Sequence, residues 1–145
     1  MGRRNFFSTY AICVAIASLV SGCSVPNLES ENCTAGRETV KKLYSQHFGS
    51  EMSSDPEALR QRDKFLTNTL IEELRSADLP SKDYFTRTGD TPTAFRVGTC
   101  EESGPTSVKI QVILLWRSRE TNRQAEVHAE VIEQDHNWLV NKVFE

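Results

Sequence analysis

The sequence predicts one α+β domain in which two or three N-terminal helices pack on a four-stranded antiparallel meander. Two observations carry this prediction. Apolar residues recur at helical spacing as far as about residue 77, and from residue 95 onward they alternate with polar residues at every second position. A chain of 145 residues is long enough for a single core. Its net charge of −3 argues against nucleic-acid binding, which requires a basic surface.

The first predicted helix starts near Thr34 and ends at Gly49, which we expect to act as its C-terminal cap. A second helical region starts at Asp55-Pro56, an N-cap followed by proline in the first turn. The apolar residues that space the first helix lie at i, i+3, i+4, i+7 and i+8: Val40, Leu43, Tyr44, His47 and Phe48.

The second helical region continues to about Ala77 and carries four leucines on one side, Leu59, Leu66, Leu70 and Leu74. Thr67 is suited to cap a new helix, so we expect either one helix or two with a break near Lys64. Leu79-Pro80 ends the region, because proline cannot continue a helix.

Four strands are predicted after residue 94, separated by turns at residues 101–105, 118–124 and 134–137. In the second strand one face carries only large apolar residues: Val108, Ile110, Val112, Leu114 and Trp116. The alternation is satisfied if Trp116 pairs with Ala125 and Leu114 with Val127. We therefore expect the helices to cover this apolar face.

The opposite face of the predicted sheet is mixed, with apolar side chains at Ile113, Leu115 and Ile132. Apolar residues on an uncovered face often mark an interaction site. These three residues are the predicted interface with a second copy or with an envelope protein. Ordinary scattered surface hydrophobes are the alternative.

The N-terminal residues have the pattern of an export signal. Arg3 and Arg4 precede an uncharged stretch, Phe6–Val20, which is short for a bilayer span. The small residues before Cys23 resemble the lipobox of bacterial lipoproteins, which implies cleavage after residue 22 and lipidation of Cys23. Localisation would then be an anchored, extracytoplasmic one, on the periplasmic side of the outer membrane if the host is Gram-negative. An ordinary secretory signal is the alternative.

Cleavage at that point leaves residues 23–32 as a lipidated tether and residues 33–145 as the domain, and moves the net charge to −5. Cys33 and Cys100 then remain as the only thiols, and two cysteines in an exported domain indicate a disulfide. Two unpaired thiols are the alternative. The spacing of the histidines and cysteines predicts no zinc site.

Three short segments resemble the nuclear transport factor 2-like, cystatin-related superfamily and a group of bacterial lipoprotein domains of unknown function within it. The resemblance covers most of residues 34–145. It implies a curved, cone-like sheet around the helices, a ligand pocket at the open end, and dimers through the uncovered sheet face. The segments are Phe65-Leu66-Thr67, Asp83-Tyr84-Phe85-Thr86 and Trp138-Leu139-Val140.

Enzymes of that superfamily place Asp, His or Tyr inside the cone, but the inward positions of these strands are all apolar. We therefore predict no catalytic residue, metal or cofactor. His128 falls on the mixed face and His47 on the core side of the first helix, where structural roles are expected. Four residues are the candidates for contact with a ligand: Tyr84, Asp90, Tyr44 and Trp116.

The favoured function is that of a non-catalytic, membrane-anchored domain that binds a protein or a small apolar ligand. Its predicted partners are membrane lipid, through acylation of Cys23, and a homodimer or envelope protein, but not nucleic acid. The alternative is a small hydrolase or isomerase with its site near Tyr84 and Asp90. An inhibitor that blocks an envelope partner is a third interpretation.

Overall fold

The structure, a computed structural model, describes residues 28–77, 81–117 and 122–145. These residues form an antiparallel sheet in the strand order β1-β2-β3-β4 together with three helices, which confirms the α+β class and the four-stranded meander. The elements are α1 (Glu31–Gly49), α2 (Pro56–Asp63), α3 (Asn68–Ser76), β1 (Ala94–Gly104), β2 (Ser107–Arg117), β3 (Asn122–Gln134) and β4 (Asn137–Phe144).

Helix α1 begins at Glu31, so the last two residues of the predicted tether are helical. Ser30 is its N-cap, with the hydroxyl accepting a hydrogen bond from the Cys33 N–H at 3.2 Å. Glu31 adds a negative charge in the first turn, where the helix dipole favours one. The predicted core side is buried at Val40, Leu43, Tyr44 and His47.

The C-terminus of α1 lies at Gly49 as predicted, but glycine is not the residue that reverses the chain. Ser50 is the cap, and the left-handed residues are Glu51 and Met52, with φ values of 53° and 55°. The Met52 N–H donates to the His47 carbonyl at 2.8 Å, which holds this conformation. The turn therefore falls two or three residues later than a glycine cap requires.

Both predicted N-caps, Asp55 and Thr67, are present, whereas Ser30 was not predicted as one. The Asp55 carboxylate accepts the N–H groups of Glu57 and Ala58 at 3.0 and 2.9 Å, and the Thr67 hydroxyl accepts that of Leu70 at 3.2 Å. The region is therefore two helices, with the break at residues 64–67. The predicted end at Leu79-Pro80 lies outside the described residues.

The break between α2 and α3 pairs with the sheet. Thr67 N–H donates to the Val140 carbonyl at 3.0 Å, and Val140 N–H donates to the Phe65 carbonyl at 2.8 Å. This short parallel bridge covers part of the free edge of β4. The segment is thereby joined to a strand that follows it by more than 70 residues.

The predicted faces of the sheet are correct, but the predicted register between β2 and β3 is wrong by two residues. Leu114 lies opposite Ala125 rather than Val127, and Val112 lies opposite Val127. An even shift keeps every side chain on the same face, so alternation alone does not distinguish the two registers.

The strands are also longer than predicted, because two of the turns are tight. β1 continues to Gly104, and only Pro105 and Thr106 separate it from β2. Asp135 and His136 connect β3 to β4 with φ values of 51° and 63°. Positive φ at both positions defines a type I′ turn, which matches the twist of a hairpin.

The predicted disulfide between Cys33 and Cys100 is confirmed, with the two Cα atoms 5.8 Å apart. It joins the first turn of α1 to β1 just after an irregularity between Val97 and Cys100. Among the described residues, the helices lack the combination of length and apolar character that a bilayer span requires.

Candidate functional site

A cavity of about 340 Å³ lies beside the segment that connects α3 to β1. The other walls come from the connection between α1 and α2 and from residues of α2 and α3. Two of the predicted ligand-facing residues, Tyr84 and Asp90, contribute to it. The lining combines polar and apolar side chains, among them Met52, Arg62, Leu74, Asp83, Tyr84 and Asp90.

Beside this cavity, His47 forms a polar cluster with two lining residues, Arg62 and Asp83. His47 is fully buried, and its Nε2 lies 3.1 Å from Asp83 Oδ1. Its other nitrogen, Nδ1, contacts Arg62 Nη1. A guanidinium only donates hydrogen bonds, so Nδ1 accepts and the proton of a neutral imidazole lies on Nε2. Asp83 is therefore the acceptor at the other end.

Asp83 is ionised in this arrangement. Burial raises the pKa of its carboxyl, but the hydrogen bond from His47 and the backbone N–H of Thr86 at 2.8 Å lower it, and the net pKa lies below the ordinary value. The same oxygen accepts the Phe85 N–H at 2.9 Å. These bonds fix the start of the turn at residues 83–86.

Arg62 supplies the opposite charge and is only 2% exposed. Burial lowers the pKa of the guanidinium, but an arginine remains protonated at neutral pH. Its Nη2 donates to the Ser53 carbonyl at 2.6 Å, while Nε is buried without a partner among the described residues. The His47 imidazole thus lies between the Arg62 guanidinium and the Asp83 carboxylate and contacts both.

This cluster joins three parts of the chain rather than serving acid–base chemistry. A general base needs a nitrogen that can reach a substrate proton, whereas both nitrogens of His47 are engaged with protein groups. The imidazole connects α1 to α2 through Arg62 and to the residue 83–86 turn through Asp83. The structural role expected for His47 agrees with this position.

The two candidate tyrosines, Tyr44 and Tyr84, differ in their exposure to solvent. Tyr44 is fully buried, its hydroxyl donates to the Phe85 carbonyl at 2.6 Å, and burial raises its pKa far above the usual value. It therefore offers no surface to a ligand and belongs to the core. Tyr84 is half-buried, and the Arg87 guanidinium lies 4.9 Å from its ring centroid. Burial also raises the pKa of Tyr84.

Asp90 and Trp116 are brought together by Arg123, a residue that the sequence did not single out. Its Nη2 lies 2.5 Å from Asp90 Oδ2, and its guanidinium carbon lies 3.9 Å from the Trp116 ring centroid. Trp116 is absent from the cavity lining, whereas Asp90 is part of it. The four predicted ligand-facing residues therefore do not form one site.

The outer face, defined as the sheet face away from the helices, carries the three predicted interface residues in two places. Ile113 is only 6% exposed, whereas Leu115 and Ile132 are half-buried. Lys109 and Glu130 form a cross-strand pair between Ile113 and Ile132 along the strands. The accessible apolar surface is thus divided by a charged row.

Phe144 is an outer-face residue that the alternation missed. Its ring stacks on His128 with centroids 5.8 Å apart. A register shift between Glu130 and Val131 changes the parity of the end of β4, so Val143 enters the core and Phe144 leaves it. The three-residue spacing of the buried valines Val140 and Val143 is the sequence signal of this shift.

In the described part of the chain, one group places three potential metal ligands within 4.8 Å of one another: Glu29, Cys33 and Cys100. The two sulfurs are bonded to each other, so they are not available as thiolate ligands. Glu29 instead binds Arg37, and this hydrogen bond lowers its pKa. The group is a disulfide beside an ion pair.

Two solved structures resemble this fold. A protein of unknown function from Bacteroides thetaiotaomicron VPI-5482 superposes with a TM-score of 0.53 and 19% identity over 78% of this chain and 91% of that one. A chain of the type VI native effector–immunity complex Tae3–Tai3 from Ralstonia pickettii superposes with a TM-score of 0.54 and 17% sequence identity. The match covers 74% of this chain and 93% of that one. Such identities establish a shared fold alone. Neither a protein-family model nor a curated protein sequence matches this chain.

Proposed function

We propose that this protein is an exported lipoprotein, anchored through Cys23, whose domain binds another protein at the cell envelope and catalyses no reaction. The signal-like residues 1–22 and the lipobox-like sequence before Cys23 support the anchor. The Cys33–Cys100 disulfide supports an oxidising compartment. The resemblance to nuclear transport factor 2-like lipoprotein domains supports both parts of the proposal.

The observation that carries the binding role is the uncovered outer face. Helices pack on one side of the sheet, and the described residues place no element on the other. Leu115, Ile132 and the Phe144–His128 pair are half-buried there among charged side chains. Mixed apolar and charged surfaces of this kind are typical of non-obligate protein interfaces.

Two further observations favour binding over catalysis. The ionisable side chains of His47, Arg62 and Asp83 beside the cavity bind one another. One of the two structural neighbours belongs to an effector–immunity complex, in which a protein partner is bound. By analogy, we favour a protein over a small molecule as the bound partner.

Lipidation is tested by metabolic labelling with an alkyne-tagged fatty acid. We expect the label on the wild-type protein and none on Cys23→Ala, because only a thiol at this position accepts the diacylglycerol. Cys13→Ala is the control, since this residue lies within the predicted signal. Label that persists in Cys23→Ala contradicts the anchor.

The binding role is tested by chemical crosslinking in intact envelopes, followed by mass spectrometry. We expect a specific crosslinked protein, and we expect Leu115→Arg to weaken its capture because a charge enters the apolar part of the outer face. Thr69→Arg, on the exposed side of α3, is the control. Sedimentation of both variants distinguishes a second copy from a different partner. The absence of any specific crosslink would refute the binding role.

A further inference from the structure

The two edge strands of the sheet, β1 and β4, differ in how many of their outward backbone groups are hydrogen-bonded. On β4, Val140 pairs with the residue 65–67 segment, and the Val143 N–H donates to the Tyr84 hydroxyl at 3.5 Å. On β1, Arg37 donates to the Gly98 carbonyl. No described residue outside the sheet bonds to the backbone of residues 94–97. The first half of β1 is therefore an uncapped edge.

The ladder determines which backbone groups face outward there. The Leu115 carbonyl accepts the Thr93 N–H at 2.8 Å, and the Arg117 N–H donates to the Thr93 hydroxyl at 3.0 Å. Odd-numbered residues of β2 therefore direct their backbone groups toward β1. Their partners are Ala94, opposite Leu115, and Arg96, opposite Ile113.

Because backbone groups alternate between the two sides of a strand, the residues between these partners point away from β2. Phe95 and Val97 thus present two N–H donors and two carbonyl acceptors at the edge. Edge groups of this kind are a template for an added strand. Proteins that recognise extended peptides use such edges for affinity and the neighbouring side chains for specificity.

The side chains beside this edge specify the strand that fits. On the helix side, the centroid of the Phe95 ring lies 5.1 Å from that of the Phe48 ring and 5.6 Å from that of the Tyr44 ring. On the outer face, Arg96 is exposed and forms no ion pair with a described residue. An added strand would therefore meet an apolar surface on one side and the exposed Arg96 guanidinium on the other.

We propose that residues 94–97 of β1 receive an extended acidic segment of the partner protein as a fifth strand, a binding mode that rests on the proposed protein-binding function. Apolar side chains of that segment would face Phe48 and Phe95, and an Asp or Glu would lie beside Arg96. A second copy fits poorly. The antiparallel register that uses both Phe95 and Val97 places Arg96 directly opposite its equivalent, where like charges repel.

The backbone part of the proposal is tested by amide hydrogen exchange followed by NMR on the mature protein. We expect the amides of Phe95 and Val97 to exchange at least about 100-fold faster than those of Ala94 and Arg96, because only the latter bond to β2. Equal protection of all four amides would overturn the proposed edge.

The recognition part is tested with a library of random ten-residue peptides panned on the immobilised protein. Enriched peptides are expected to alternate apolar residues with Asp or Glu, and to slow exchange at Phe95 and Val97. Arg96→Glu should weaken their binding about tenfold. Lys142→Glu, on the opposite edge strand, is the matched control. No enrichment, equal binding to Arg96→Glu, or binding without protection at these amides would refute the docking mode.

The two proposals fail in different ways. If envelope crosslinking captures a partner whose yield is unchanged by Arg96→Glu, the protein binds through another surface and only the added strand is wrong. If no specific partner is captured, the binding function itself is wrong, whatever the exchange rates at β1.

Discussion

At the residue scale, the His47–Arg62–Asp83 cluster is the feature with the largest consequence. It places a charged guanidinium in the interior, where an unpaired charge is costly. Asp83 offsets that cost through the bridging imidazole, and its carboxylate also accepts two N–H groups of its own turn. The three residues come from α1, α2 and the residue 83–86 turn. The packing of these parts is therefore more stable when the Asp83 carboxyl is ionised.

We expect Asp83→Asn to lower the free energy of unfolding by about 2 kcal/mol near neutral pH, because it removes the charge that faces Arg62 through His47. The folded pKa of Asp83 lies below its unfolded value of about 3.9. Its contribution is therefore complete above that pH and is lost as the pH falls through the folded pKa.

Urea denaturation between pH 2.5 and 7 measures this effect. The wild-type and Asp83→Asn curves should be separated at neutral pH and should converge at acidic pH. A constant separation across the range would show that the carboxylate charge of Asp83 does not contribute.

Single residues of this cluster were only partly predictable. Helical spacing places His47 on the core side of its helix, and that position is confirmed. Arg62 and Asp83 carry no comparable signal, because an arginine in a polar helix and an aspartate in a turn are ordinary surface residues. Their meeting depends on how α1, α2 and the following turn pack together.

At the element scale, α1 packs close to the sheet because Gly36 has no side chain at the point of contact. A Cβ atom on Gly36 would lie 2.5 Å from Cγ2 of Val108, so only glycine permits this approach. Both residues are buried, and the neighbouring Cys33–Cys100 disulfide restrains the same end of the helix. The contact therefore has little freedom to relax.

Gly36→Ala should destabilise the protein by about 2 kcal/mol, because overpacking outweighs the better helix propensity of alanine. Gly49→Ala is the matched control, since its added Cβ meets no described atom within 4 Å beyond its chain neighbours and its own helix backbone, and it should stabilise by about 0.5 kcal/mol. Thermal or urea denaturation of both variants decides the point. A stabilising Gly36→Ala would mean that the helix moves away from Val108 at no cost.

At the scale of the whole molecule, the disulfide connects residues that are 67 positions apart in the chain. It attaches the N-terminal helix to the sheet, which is otherwise formed from the second half of the sequence. A crosslink of this span reduces the conformational freedom of the unfolded chain, and the reduction grows with loop length.

The double variant Cys33→Ser/Cys100→Ser should lose about 4 kcal/mol of stability in the chain-entropy model. Urea denaturation with and without a reducing agent measures it. Reduction should destabilise the wild-type protein by a similar amount and leave the variant unchanged. An equal response of both proteins to the reductant would contradict a stabilising disulfide.

The sequence by itself determined the α+β class, the buried side of α1, two N-caps, the inner and outer faces of the sheet and the pairing of Cys33 with Cys100. These features follow from local periodicity, capping chemistry and the presence of two cysteines after the lipobox-like sequence. Tertiary structure alone decided the β2–β3 register, the bridge of residues 65–67 to β4 and the cluster around His47. Each of these depends on where separate elements meet, and local side-chain patterns are unchanged by an even register shift or by which distant residue completes an ion pair.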